Sequence, residues 1–273
     1  MTTPTTLTTS DGLSLYTRAW EPSGPPRARV ALVHGYGEHI DRYAHVGDAL
    51  AQAGFYVLGA DLRGHGKSGG VRGFCNHFRE YLDDLSILLE AVGGRPLVVG
   101  HSFGGLISAR YCIEYPDRIS ALALSSPFFK LKLEVPIFKV WMAQAASSLY
   151  PKLALPSGLR GADVTRDPEL SALYDVDPLN NKNATARWFT ETQAAQREVD
   201  RRASEIRVPC LVMPGAADRV ADPARSQQIF SRLGSADKTL RLLPGQFHEI
   251  FNEPPQDRAE ALKILTDWLI AHS

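Results

Sequence analysis

The stretch VVGHSFGGL, Val98 to Leu106, sets a serine among three glycines directly behind a β-branched run. Glycine inside a strand or helix costs about 0.5–1 kcal/mol relative to alanine, so packing alone does not explain the crowding. A sharp turn does. If the strand passes at once into a helix and lifts its serine off the sheet, the neighbouring positions have no room for a Cβ atom. Gly100-His101-Ser102-Phe103-Gly104 has the G-x-S-x-G spacing of such a strand–turn–helix, in which the exposed hydroxyl acts as a nucleophile. The spacing alone is a weak signal in 273 residues; the strand before it and the helix after it give it weight.

The rest of the chain supplies a sheet for that turn. ARVALVHG (Ala28–Gly35) is a near-continuous apolar run ended by glycine, the pattern of a buried central strand. LSLYTRAW (Leu13–Trp20), FYVLGAD (Phe55–Asp61), PLVVG (Pro96–Gly100), ISALALSS (Ile119–Ser126), VPCLVMPG (Val208–Gly215) and KTLRLLPG (Lys238–Gly245) read as further strands. Helical stretches fall between them at Asp41–Ala53 and Phe103–Tyr115. Phe78, Tyr81, Leu82, Leu85, Leu88, Leu89 and Val92 form one amphipathic stripe, and a last helix closes the chain near Trp268. This alternation predicts an α/β chain, a mostly parallel central sheet with helices on both faces. It breaks between residues 127 and 195, where prolines recur at 127, 136, 151, 156, 168 and 178 around IFKVWMAQAASSLY. The expectation is a core of residues 1–126 and 196–273 with residues 127–195 inserted as a helical cap above the C-terminal edge of the sheet, where open α/β sheets bind ligands.

A serine on such a turn needs a base and an orienting acid, in the order Ser, Asp or Glu, His. Downstream of Ser102 stand two histidines: His272, next to the end of the chain where fraying is common, and His248 in the loop PGQFHEI. His248 is therefore the candidate base. LVMPGAADRVAD offers Asp218 and Asp222; Asp222 precedes Pro223 as an N-cap would, which leaves Asp218 as the acid. The bland alternatives are a turn-forming Asp218 and a structural His248. His34-Gly35-Tyr36-Gly37 follows its strand as an oxyanion turn would, making the backbone N–H groups of Tyr36 and Phe103 the candidate oxyanion hole. Glu38, His39 and Arg42 read either as a solvated cluster or, for Glu38 and Arg42, as a pair beneath that loop. Both are also candidates for contact with substrate. His65 reads as a loop brace. Phe138, Trp141 and Met142 in the apolar cap segment suit the wall of an acyl-chain pocket, or simple packing on the core.

Taken together, VHGYGEHIDRY, DLRGHGKSGGVRG, GHSFGG, GAADRVAD and FHEI resemble an α/β-hydrolase of the monoacylglycerol lipase and lysophospholipase branch, the serine-aminopeptidase-like group. The resemblance runs from about Asp11 to Trp268 and includes YDVDPLN; HGxGEHxxRY is its most specific part, and the cap its least. It implies the α/β-hydrolase fold, a catalytic triad of Ser102, Asp218 and His248, and an oxyanion hole of Tyr36 and Phe103. That family more often has Met where Phe103 stands. It implies hydrolysis of monoacylglycerols or similar single-chain lipid esters through an acyl-enzyme, without metal or cofactor. The alternatives are a lysophospholipase, a general carboxylesterase, a small-amide peptidase and a non-catalytic ligand receptor. The peptidase would need an acidic pocket for a free amine, for which Glu38 is the one early candidate.

Bulk properties limit the partners. Thirty basic residues balance thirty acidic ones, so no overall field favours nucleic acid. Three widely spaced cysteines read as reduced thiols, and the first residues lack a secretory pattern. A cytoplasmic enzyme with a small lipid substrate is expected. Transient contact with a membrane surface through the cap and its lysines Lys130, Lys132, Lys139 and Lys152 is a further expectation.

Overall fold

β-Branched and aliphatic residues fill the centre of the sheet because both of its faces are covered. The computed structural model describes residues 5–132 and 137–273. Strands β1 (Thr5–Thr8), β2 (Ser14–Trp20) and β3 (Ala28–Val33) are followed by a 3-10 turn, Ile40–Tyr43, and helix α1 (Ala44–Gln52). Then come β4 (Phe55–Ala60), α2 (Arg79–Val92), β5 (Leu97–His101), α3 (Ser102–Glu114) and β6 (Ala121–Ser125). After β6 the chain forms α4 (Ile137–Leu149), β7 (Ala154–Pro156), α5 (Gly161–Val164), α6 (Pro168–Val176), β8 (Asn183–Thr185) and α7 (Ala186–Arg202). It returns as β9 (Cys210–Met213), α8 (Pro223–Arg232), β10 (Lys238–Leu240) and α9 (Pro255–Ala271).

The large sheet has the order β1-β2-β4-β3-β5-β6-β9-β10, parallel from β4 onward with β1 and β2 antiparallel at one edge. Period-two alternation divides its strands between two cores. Val30, Leu32, Leu97 and Val99 pack with Val46 and Leu50 of α1 and Leu265 and Leu269 of α9. Ala31, Val33 and Val98 pack on the opposite face with Leu82 and Leu85 of α2, Leu106 and Ile107 of α3 and Val199 of α7.

The strand order places the site. β3 and β5 are parallel neighbours, with Val33 opposite Gly100, yet the chain leaves β3 toward β4 on one side and leaves β5 toward β6 on the other. Their following loops diverge and open a crevice at the carboxyl ends, as at the switch point of other open α/β sheets. Residues 34–37 line one side and the α3 N-terminus the other.

Several sequence expectations shift. The helix expected over Asp41–Ala53 begins as a tighter 3-10 turn, its first amide, Ile40 N–H, held 2.6 Å from Asp61 Oδ1. Thr5–Thr8 adds an edge strand, pairing with Ser14 to Thr17. β7 and β8 form a small antiparallel sheet that the prolines of this segment concealed. Helix α7 runs through residue 195 without a break, so the expected edge of the cap falls inside an element.

A buried ion pair helps to hold the loop after β4. Arg63 donates to both oxygens of Asp84 at 2.6 and 2.7 Å, and its remaining nitrogen reaches Glu80 at 2.9 Å and the more exposed Asp11 at 3.1 Å. Removing one partner of a buried pair strands the other's charge, which costs about 3–5 kcal/mol. Arg63→Leu should lose that much in urea unfolding, and Arg63→Leu/Asp84→Leu should regain most of it; an unchanged midpoint in the single variant would contradict the pairing.

Candidate active site

Ser102 is the first residue of α3 and has φ +51°, one of two non-glycine residues with positive φ among those described. L-residues pay for this conformation, and the surrounding glycines show what enforces it. A Cβ on Gly100 would lie 2.7 Å from Gly104 O, and one on Gly104 would lie 2.3 Å from Val33 O. A Cβ on Gly35 would lie 3.0 Å from Ser102 Cβ. The backbone of β3's exit loop is thus pressed directly against the serine.

Ser102, His248 and Asp218, expected from sequence to act together, meet from the start of α3 and two separate loops. His248 Nε2 lies 2.7 Å from Ser102 Oγ, and His248 Nδ1 lies 2.7 Å from Asp218 Oδ2. Asp218 is itself fixed, its Oδ1 accepting from Val220 N–H at 2.7 Å and Ala221 N–H at 2.9 Å. Asp222 serves as the N-cap of α8, accepting from Ala224 N–H. His272 lies against Trp268 of α9 and is bonded to Asp237, outside this cluster.

Electrostatics set His248 apart from His34, His65 and His101. Burial pushes His34, His65 and His101 down to about 3, so all three stay neutral. Burial pushes His248 down as well, but the negative charge and hydrogen bond of Asp218 outweigh it, with Glu249 and Glu38 adding, and its pKa ends above the ordinary 6.5. This is the imidazole poised to take a proton and bear the charge.

Phe103 is the second residue of α3, so its N–H is one of the four at a helix start without an intrahelical acceptor. The Tyr36 loop is braced from below. Glu38 Oε1 accepts from Gly35 N–H at 2.5 Å and from Tyr43 O–H at 2.7 Å. Its other oxygen is 3.3 Å from Arg42 Nε, and Arg42 continues to Glu249, the residue after His248. Glu38 and Arg42 therefore spend their polar atoms on the loop and not on a substrate. His39 Nε2 lies 2.9 Å from Asp177 Oδ2 in the segment after α6. Glu249 was missed by the sequence reading, although its adjacency to His248 in FHEI was the available signal. The side chain of Tyr36 was missed too: its hydroxyl donates to Asn183 O at 2.6 Å.

A family model described as serine aminopeptidase, S33, matches residues 24–255. The chain belongs to that family. It is an α/β-hydrolase of the monoacylglycerol lipase branch, a serine hydrolase. It is 34% identical over 267 residues to a monoacylglycerol lipase of Mycolicibacterium smegmatis, covering 96% of this chain and 94% of that one. It is 29% identical over 270 residues to the monoglyceride lipase of Rattus norvegicus, covering 96% and 89%. The crystal structure of the Paleococcus ferrophilus monoacylglycerol lipase superposes with a TM-score of 0.89 at 33% identity, covering 95% of this chain and 99% of that one.

Within this serine hydrolase the apolar segment before residue 150 departs from the sequence expectation. Phe138, Trp141 and Met142 are 55%, 64% and 65% exposed, so they stand on the outer surface of α4 and form no buried acyl wall. The reason is that α4 gives its other side to α7, where Ser147 Oγ meets Thr190 Oγ1 at 2.8 Å and Arg187 donates to Ser147 O at 2.8 Å.

The brace is open to a direct test. Glu38→Gln should lower kcat on a simple ester by about 10-fold or more, as expected for a small displacement of a reacting group's support, with KM little changed. A loss confined to KM would instead place Glu38 against substrate.

Proposed function

We propose that this chain hydrolyses monoacylglycerols or comparable single-chain lipid esters, with Ser102 as nucleophile, His248 as general base and Asp218 as the acid that orients it. The observation that carries the reading is the position of His248, bonded at 2.7 Å to the serine on one nitrogen and to the aspartate on the other. Ser102 Oγ adds to the ester carbonyl as its proton passes to His248 Nε2. The carbonyl becomes an oxyanion facing the Tyr36 and Phe103 N–H groups. Expulsion of the alcohol takes the proton from His248 and leaves an acyl-enzyme. Water, deprotonated by the same imidazole, then releases the acid.

The substrate class rests on the monoacylglycerol and monoglyceride lipases to which the chain is similar along nearly its whole length. Two features of the molecule suit it. The carboxylate that an aminopeptidase would need for a free amine, Glu38, is already occupied by Gly35, Tyr43 and Arg42. The exposed stripe Phe138, Trp141 and Met142, followed by exposed Leu149 and Tyr150, suits a face resting on a lipid surface. No helix among the described residues is long and apolar enough to cross a membrane. On this reading residues 127–195 act as a cap on a core of residues 1–126 and 196–273. The three unpaired, buried cysteines suit a reducing, cytoplasmic setting.

Two measurements test the proposal. With monooleoylglycerol, Ser102→Ala should lower kcat by about 10⁶, the loss seen when a triad nucleophile is removed; comparable turnover in wild type and variant would overturn the assignment. His248 must be neutral to accept a proton, and its pKa lies above 6.5. The kcat/KM profile should therefore fall as pH drops through a midpoint above 6.5 and stay level above it, whereas a limb well below that value would contradict His248 as base.

A further inference from the structure

We infer that Trp188, on helix α7 of the inserted segment, is a positioning residue for the oxyanion hole; this rests on the reading of Tyr36 and Phe103 as its two donors. The rings of those two residues meet only edge to face, 5.9 Å apart at 89°. Trp188 closes the triangle. Its ring lies 3.7 Å from that of Tyr36, tilted by 31°, and 5.3 Å from that of Phe103. Phe103 is wholly buried and backed by Tyr81 at 5.0 Å and Phe78 at 5.9 Å, both from the α2 side. A single indole thus touches the side chains of both candidate oxyanion residues, which come from different strand ends.

Tyr36 is held at its far end as well. Its hydroxyl donates to Asn183 O at 2.6 Å and accepts from Asn181 Nδ2 at 3.3 Å. Gly73 leaves the space for it: a Cβ there would lie 2.2 Å from Tyr36 Oη. The backbone that carries the indole is fixed in turn, because Thr185 caps α7 by accepting from the Trp188 backbone N–H, and its hydroxyl donates to Gly73 O at 2.7 Å. A side chain gripped along its ring and at its tip fixes the Cα from which it hangs, and with it the amide offered to the oxyanion. Donors must sit about 2.7–3.1 Å from the developing charge to be effective, and misplacement by about 1 Å costs roughly 100-fold. The inserted segment therefore sets the rate of the chemical step through Trp188, in addition to any choice of substrate.

The test uses the full chain with p-nitrophenyl butyrate as substrate and butylboronic acid as a tetrahedral mimic. Trp188→Leu should lower kcat by about 30-fold, with KM within about 3-fold, and weaken the boronic acid by about the same factor as kcat. Trp188→Phe, which keeps a ring, should lose no more than about 3-fold. Tyr36→Leu removes the same stack from the other side and should show the same split. The double variant Trp188→Leu/Tyr36→Leu should be no worse than either single one, as for two halves of one contact. Full additivity, or a folded Trp188→Leu with unchanged kcat, overturns the inference. If Trp188→Leu does not fold, Tyr36→Leu and Trp188→Phe decide it: a kcat loss with KM kept in the former and near-full activity in the latter supports the coupling, and unchanged kcat in Tyr36→Leu overturns it. Boronic acid inhibition that Ser102→Ala leaves intact would instead overturn the reading of the site itself.

Discussion

Everything at this site depends on how closely two parallel strand ends approach one another. The exit of β3 presses against the turn between β5 and α3 so tightly that a methyl group on Gly35 or Gly104 would enter an occupied atom's space, and one on Gly100 would strike the first turn of α3. That closeness holds Ser102 in a left-handed conformation and brings the amide-bearing loop of Tyr36 beside its hydroxyl. The glycines, costly anywhere else in strand or helix, are the condition for both.

The second organising principle is electrostatic sorting by burial. Among the buried imidazoles, His34, His65 and His101 are pushed down by burial and held neutral. His34 even accepts Leu62 N–H through Nε2, at 2.9 Å, as a plain scaffold group. His248, by contrast, has the Asp218 carboxylate bonded to the far nitrogen of its ring and is pushed upward. Asp218 works as it does because two backbone amides satisfy its second oxygen, which keeps the first aimed at the imidazole. Beneath them Glu38, Arg42 and Glu249 connect the support of the Tyr36 loop to the residue following His248.

Much of this was legible in the sequence because its physical signals are local. Continuous apolar runs mark strands covered on both faces, and β3, β4, β5, β6 and β9 fall where those runs do. The glycines around Ser102, the order of acid and base, and the lone usable histidine downstream placed three side chains that the structure brings together. What escaped notice depends on contacts between distant segments. Nothing near Trp188 announces that it lies on Tyr36, 152 positions earlier by sequence number (188 − 36). The apolar stripe of α4 shows amphipathic spacing, but which side α7 covers is set by tertiary packing alone, so Phe138, Trp141 and Met142 were assigned to a wall when they lie outside. The proline-rich segment hid a small two-stranded sheet because two three-residue strands carry no periodicity to read.

The central claim is that one hydroxyl, raised on this turn and joined to His248, forms the covalent intermediate. The most direct measurement is to treat the intact protein with an alkyl fluorophosphonate and locate the adduct by peptide mass spectrometry. The account predicts a single adduct on Ser102, absent in Ser102→Ala and formed far more slowly in His248→Ala. Labelling at another residue, or undiminished labelling without His248, would contradict it.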